Sequence, residues 1–147
     1  MIERKKSDRK ILEFELKFPL FSGKIKSMTS ERNIGQYGIN YAGNGYGYIF
    51  TLIFKDDTEI ECNWIYNDCE DGQTIYLSIN NYHVETVDED EFSTEGYIGI
   101  KNEIKKLFKN LNIKYTKSSA QKLFYLINEF SGRSLIFRSW FHSKYFI

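Results

Sequence analysis

Among its 147 residues the chain has one proline, two cysteines and two histidines. It also lacks any unbroken apolar run of the roughly 18 residues that a membrane-spanning helix needs. Cys62 and Cys69 are too few and too close to frame a small secreted fold, and their spacing fits no CxxC metal or redox pattern, so both read as reduced thiols. The basic start, MIERKKSDRK, leads into ILEFELKF, where charged and apolar residues alternate and no signal-peptide core forms. These features predict a cytoplasmic protein with no membrane association. His83 and His142 belong to no HExxH spacing, and no GxSxG elbow is present. Both read as structural or exposed, no cofactor or metal is implied, and the expectation is a protein that is not an enzyme.

Hydrophobic residues at 41% and aromatic residues at 17% exclude a disordered chain. A domain of this length buries about 68–70% of the surface its unfolded chain exposes, so residues 1–147 are expected to form one domain. Abundant Lys, Asn, Ile, Tyr and Phe suit an AT-rich genome and favour a bacterial or phage source. The same bias means that many tyrosines and asparagines do not by themselves mark a binding site.

Leu12, Phe14, Leu16 and Phe18 alternate with Glu13, Glu15 and Lys17, which predicts a half-buried strand. Pro19 and Gly23 bracket a turn, and Lys24 to Met28 returns as its partner. Residues 33–47 hold half of the ten glycines and read as a loop or a distorted edge. The run Tyr48–Phe54, the polar turn Lys55–Thr58 and the alternating Ile60, Cys62, Trp64 and Tyr66 predict a β-hairpin. Thr74–Ile79 continues the meander, and His83–Val87 can add a strand. Tyr97, Ile100, Ile104, Leu107, Phe108 and Leu111 then fall at helical spacing, with lysines between them. A second helix carries Leu123, Phe124, Ile127 and Phe130, with Ser118 or Ser119 as its cap and Gly132 past its end. The aromatic tail from Ser134 reads as a closing strand. The fold class is therefore α+β: an antiparallel meander with two amphipathic C-terminal helices packed on it.

Charge is segregated. Residues 1–32, 33–95 and 96–147 carry +4, −12 and +8, which cancel. Asymmetry of this kind bears on partners and association rates. Its sharpest element is the acidic stretch Glu85, Asp88, Glu89, Asp90, Glu91 and Glu95, joined by Asp68, Glu70 and Asp71 on a neighbouring turn. Arrayed carboxylates imitate the phosphate charge of DNA, so these residues are the candidate surface for a basic protein that handles nucleic acid. The plainer reading is a solvated acidic loop that favours the start of the following helix. The charge blocks can also face each other within the fold or between copies.

Other constellations are weaker. The C-terminal third interleaves Lys105, Lys109, Arg133, Arg138 and Lys144 with aromatic residues such as Trp140, as nucleic-acid binders do; its plain alternative is a buried strand with charged edges. Asn67–Ser78 fails as an EF-hand because Cys69 and Ser78 occupy ligand positions. Gly43–Gly47 has neither phosphate-loop order nor a helix after it. Glu15-Leu16-Lys17 resembles the ExK half of a metal-dependent nuclease pattern, with Asp8 or Glu13 as partner, but such short matches are common on alternating strands. In charge and size alone the chain is similar to phage anti-defence inhibitors, of the anti-CRISPR and anti-restriction kind, and to bacterial immunity proteins. That likeness implies an inhibitor or adaptor with an acidic surface and carries over no particular residue.

Overall fold

A computed structural model describes residues 6–34, 45–67, 72–85 and 92–130. Helix α1 (Lys6–Lys17) and a 3-10 turn (Pro19–Phe21) precede five strands: β1 (Ile25–Ile34), β2 (Gly45–Phe54), β3 (Glu59–Asn67), β4 (Gly72–Ile79) and β5 (Tyr82–Glu85). Helices α2 (Thr94–Asn110) and α3 (Lys117–Phe130) follow. The strands pair in sequence order β1-β2-β3-β4-β5, each antiparallel to the last. The α+β class and the meander are as the sequence predicts.

The first element is not. Leu12–Lys17 forms the second half of helix α1, not a strand, and Phe18 lies just past its end. Phe14 and Phe18 lie four residues apart, a spacing that serves a helix as well as a strand, and both are buried. Leu12 and Leu16, which a strand would place beside them, are 39% and 81% exposed. The Arg, Lys, Leu and Glu content supports the helix. Pro19 ends it by forcing Phe18 out of helical geometry, to φ −140° and ψ 81°. The predicted return strand exists as β1, but it pairs with β2.

Register divides the sheet cleanly. One row crosses all five strands as Met28, Leu52, Ile60, Ile79 and Tyr82, and the next as Ser30, Phe50, Cys62, Leu77 and Val84. Their apolar members from Met28 to Ile79 are buried, with Tyr82 and Val84 partly buried against them. The helices cover this face. Phe21 joins the layers, with ring centroids 5.3 Å from Phe54 on β2 and 5.7 Å from Phe108 on α2.

Helix α2 crosses the sheet from β5 to the β2–β3 turn. At its start Ser93 caps the helix, its hydroxyl accepting from the Gly96 amide at 3.0 Å, and the Tyr82 hydroxyl donates to the Glu95 carbonyl at 3.1 Å. At its end the Asn110 amide donates to the Asp56 carboxylate at 3.1 Å. The helix closes with left-handed Asn112 (φ 58°) and a return bond from the Ile113 amide to the Phe108 carbonyl at 2.8 Å. The predicted apolar set of α2 is buried throughout. In α3 the cap is Thr116, not Ser118 or Ser119: its hydroxyl accepts from the Ser119 amide at 3.0 Å. Gly132, Cys69 and the tail lie outside the described residues.

Burial pushes the Asp56 carboxyl up, but hydrogen bonds from the Thr58 amide and hydroxyl and from Asn110 outweigh it and hold the group below the ordinary carboxylate range. A depressed carboxyl stabilises the fold above its unfolded value and loses that contribution as pH falls through the folded value. Asp56→Asn should therefore be less stable near neutrality and lose less stability between about pH 5 and pH 2, as urea melts across that range would read. Parallel pH profiles for the two proteins would refute the assignment.

Candidate functional site: the outer face of the sheet

The residues that alternate with the core rows form a second pair of rows. Thr29, Thr51, Glu61, Ser78 and His83 make one; Glu31, Ile49, Asn63, Tyr76 and Glu85 make the other, with Ser27, Ile53 and Glu59 beyond. Each of these residues is exposed or partly exposed. Among the described residues, α1, α2 and α3 contribute their buried side chains to the core on the other side.

This outer face is acidic. Glu31, Glu61 and Glu85 stand on β1, β3 and β5, every second strand, so successive members are two strand spacings, about 10 Å, apart across the sheet and offset by two residues along it. Glu59 adds a fourth carboxylate on β3. Strands β2 to β5 contain no lysine or arginine. In β1, Lys26 sits at the bulge between Ile25 and Ser27 and pairs with Asp57 at 2.9 Å, while Arg32 occupies a core-row register position. Toward β5 the face sinks into an open depression of about 440 Å³, lined by Glu61, Tyr76, Ser78, His83 and Glu85 over the backbones of Leu77 and Val84.

The positive charges of the helices lie on the other side of the molecule. Lys105, Lys106 and Lys109 are exposed on α2, and Lys117 and Lys122 on α3. The Lys105 ammonium stands 5.3 Å from the Tyr115 ring centroid, and burial pushes the Tyr115 hydroxyl up to about 12. The acidic strands and basic helices thus do not face each other across the core; they look outward from opposite layers.

Of the acidic candidates, Glu85 belongs to the outer face and Glu95 to the first turn of α2 in the helix layer, so the structure does not unite them on one surface. Asp68, Glu70, Asp71, Asp88, Glu89, Asp90 and Glu91 lie outside the described residues, as do Arg133, Arg138, Trp140 and Lys144. The ExK reading fails with the strand that carried it. On helix α1, residues two apart diverge, and Glu15 accepts from the Gly23 amide while Lys17 pairs with Glu129 on α3. That bond raises the Lys17 ammonium above its ordinary value. Among the described residues no three His, Cys, Asp or Glu side chains are placed to hold a metal ion, and no helix is long and apolar enough to cross a membrane.

Sequence reasoning missed Glu31, Glu59 and Glu61 as site residues, because attention to contiguous acid overlooked alternating acid. Following the parity of the Tyr48–Tyr66 hairpin places Glu59 and Glu61 opposite the core and would have found them.

Among the described residues, fold and face define a two-layer α+β arrangement whose outer sheet face is acidic and is covered by none of the three helices. No protein-family model matches the chain, and neither does any curated protein or solved structure.

Proposed function

We propose that this protein is a non-enzymatic inhibitor or adaptor that binds a basic, nucleic-acid-handling protein through the acidic outer face of its sheet. The observation that carries this reading is the array Glu31, Glu59, Glu61 and Glu85 on a face whose strands β2 to β5 have no lysine or arginine. Charge of one sign on one face steers a partner of opposite sign and makes association fast and salt-sensitive. In sequence, Asp68, Glu70, Asp71, Asp88, Glu89, Asp90, Glu91 and Glu95 add charge of the same sign.

The test is an affinity pull-down of tagged protein from bacterial lysate, with and without nuclease treatment, beside the quadruple variant Glu31→Lys, Glu59→Lys, Glu61→Lys and Glu85→Lys. A stoichiometric basic protein that survives nuclease treatment and is lost with the variant, while the circular dichroism spectrum is unchanged, is the expected result. Equal recovery by the variant would overturn the assignment of the face.

A second reading rests on the opposite layer. Lys105 and Lys109 are one turn apart on α2 and both exposed, which suits contact with a phosphate backbone. It predicts DNA or RNA affinity that falls steeply with salt and drops further in Lys105→Glu/Lys109→Glu. No retention on heparin would count against it.

A further inference from the structure

We propose that the solvent side of helix α1 is a homodimer interface, on which a second copy of the chain packs its own α1 antiparallel across a two-fold axis between residues 12 and 13. Helix α1 turns Phe14 and, in part, Ile11 into the core. Arg9, Leu12, Glu13 and Leu16 fall at the i, i+3, i+4, i+7 spacing that marks one face of a helix, and all four are exposed. Leu16 is the most exposed large hydrophobic residue described, and half-exposed Leu20 follows past the end of the helix. Two leucines one turn apart on the solvent side of a helix are the row that a helix pair buries.

The charges beside that row point to a second copy as the occupant. Among the described residues neither Arg9 nor Glu13 forms an ion pair. With the axis between residues 12 and 13, the leucines of two copies follow one another along the seam as Leu16, Leu12, Leu12 and Leu16. Each Arg9 then stands three residues, about 4.5 Å of helix rise, from the other copy's Glu13, within reach of its long side chain. Both ion pairs close at once. A parallel pairing in register would instead set Arg9 against Arg9 and Glu13 against Glu13. The face is therefore complementary to itself in the antiparallel sense, as an isologous interface requires. At 12 residues, about 18 Å, the helix is too short to bury the roughly 1,200 Å² of a stable pair, so the dimer is weak. Because α1 covers the inner side of the sheet, the seam engages the acidic outer face of neither copy.

The experiment is sedimentation equilibrium of the full chain in about 0.15 M salt, which screens the lysines of α2 and α3, at protein concentrations from about 10 μM to about 1 mM. The average mass should rise from 17.5 kDa toward twice that value. Half-association is expected at about 0.1–1 mM. Leu16→Gln should weaken association at least about tenfold. Arg9→Glu and Glu13→Arg should each weaken it about fivefold, and the exchange Arg9→Glu/Glu13→Arg should restore it, which neither misfolding nor a change of net charge can do. Glu61→Gln/Glu85→Gln, on the sheet, should associate as the unaltered chain does. A single 17.5 kDa species at every concentration would overturn the dimer. Association that survives Leu16→Gln, or that the exchange does not restore, would overturn the seam. Recovery of a basic protein through the acidic face is a separate measurement, so either reading can fail without the other.

Discussion

Phe21→Ala should lower the unfolding free energy by about 3–5 kcal/mol, the range for deleting a fully buried phenylalanine. Phe21 is 0% exposed and joins separate elements: its ring lies 6.2 Å from Phe14 on α1, 4.7 Å from Phe18, 5.3 Å from Phe54 on β2 and 5.7 Å from Phe108 on α2. Cavity relaxation is limited where four rings from three elements share one neighbour. Set against a typical total of about 5–15 kcal/mol, the loss is a large share of the fold's stability. The midpoint of thermal unfolding should fall by about 10–20 °C. Leu16→Ala, at an 81% exposed position, should change stability by less than about 0.5 kcal/mol. The pair also tests α1 itself, because a strand would bury Leu16 with Phe14; equal losses from Leu16→Ala and Phe14→Ala would contradict the helix.

Gly99→Ala should destabilise by about 1–2 kcal/mol, although the substitution usually favours a helix by about 1 kcal/mol. A β-carbon at Gly99 would stand 2.0 Å from Cζ and Oη of Tyr82. The ring cannot yield without losing its hydrogen bond to the Glu95 carbonyl and its place between β5 and α2. Overpacking therefore outweighs propensity. In a Tyr82→Ala background the obstruction is gone, and Gly99→Ala should become stabilising by up to about 1 kcal/mol. A double-mutant cycle by urea denaturation reads this change of sign, and additive effects would show that Tyr82 does not rest on Gly99.

The central part of the fold was legible because local signals agreed there. The β2–β3 hairpin combines apolar alternation with a short polar turn, and α2 combines a 3.6-residue period with a capping serine. At α1 two periods coincide on Phe14 and Phe18, and only tertiary packing against Phe21 and Phe130 decides between them. The cap of α3 was misplaced by two or three residues because Thr116, Ser118 and Ser119 can all accept, and the backbone chooses among them. For the candidate site, the sequence revealed the sign of the charge but not which carboxylates share a face. Glu85 and Glu95 look contiguous in sequence and stand on different layers, whereas Glu31 and Glu85 look remote and share one register row.

The contact between α1 and α3 has a consequence for the order in which the chain assembles. Each strand of the meander pairs with its predecessor, so the sheet can zip hairpin by hairpin as it leaves the ribosome. Helix α1 is synthesised before the sheet, yet Phe14 and Lys17 find Phe130 and Glu129 only after more than a hundred further residues have been made. Of the described helices, the first in the chain is thus completed by the last. Until α3 arrives the Phe14 side of α1 lacks part of its cover, so a chain stalled before α3 is expected to expose apolar surface that the finished fold hides.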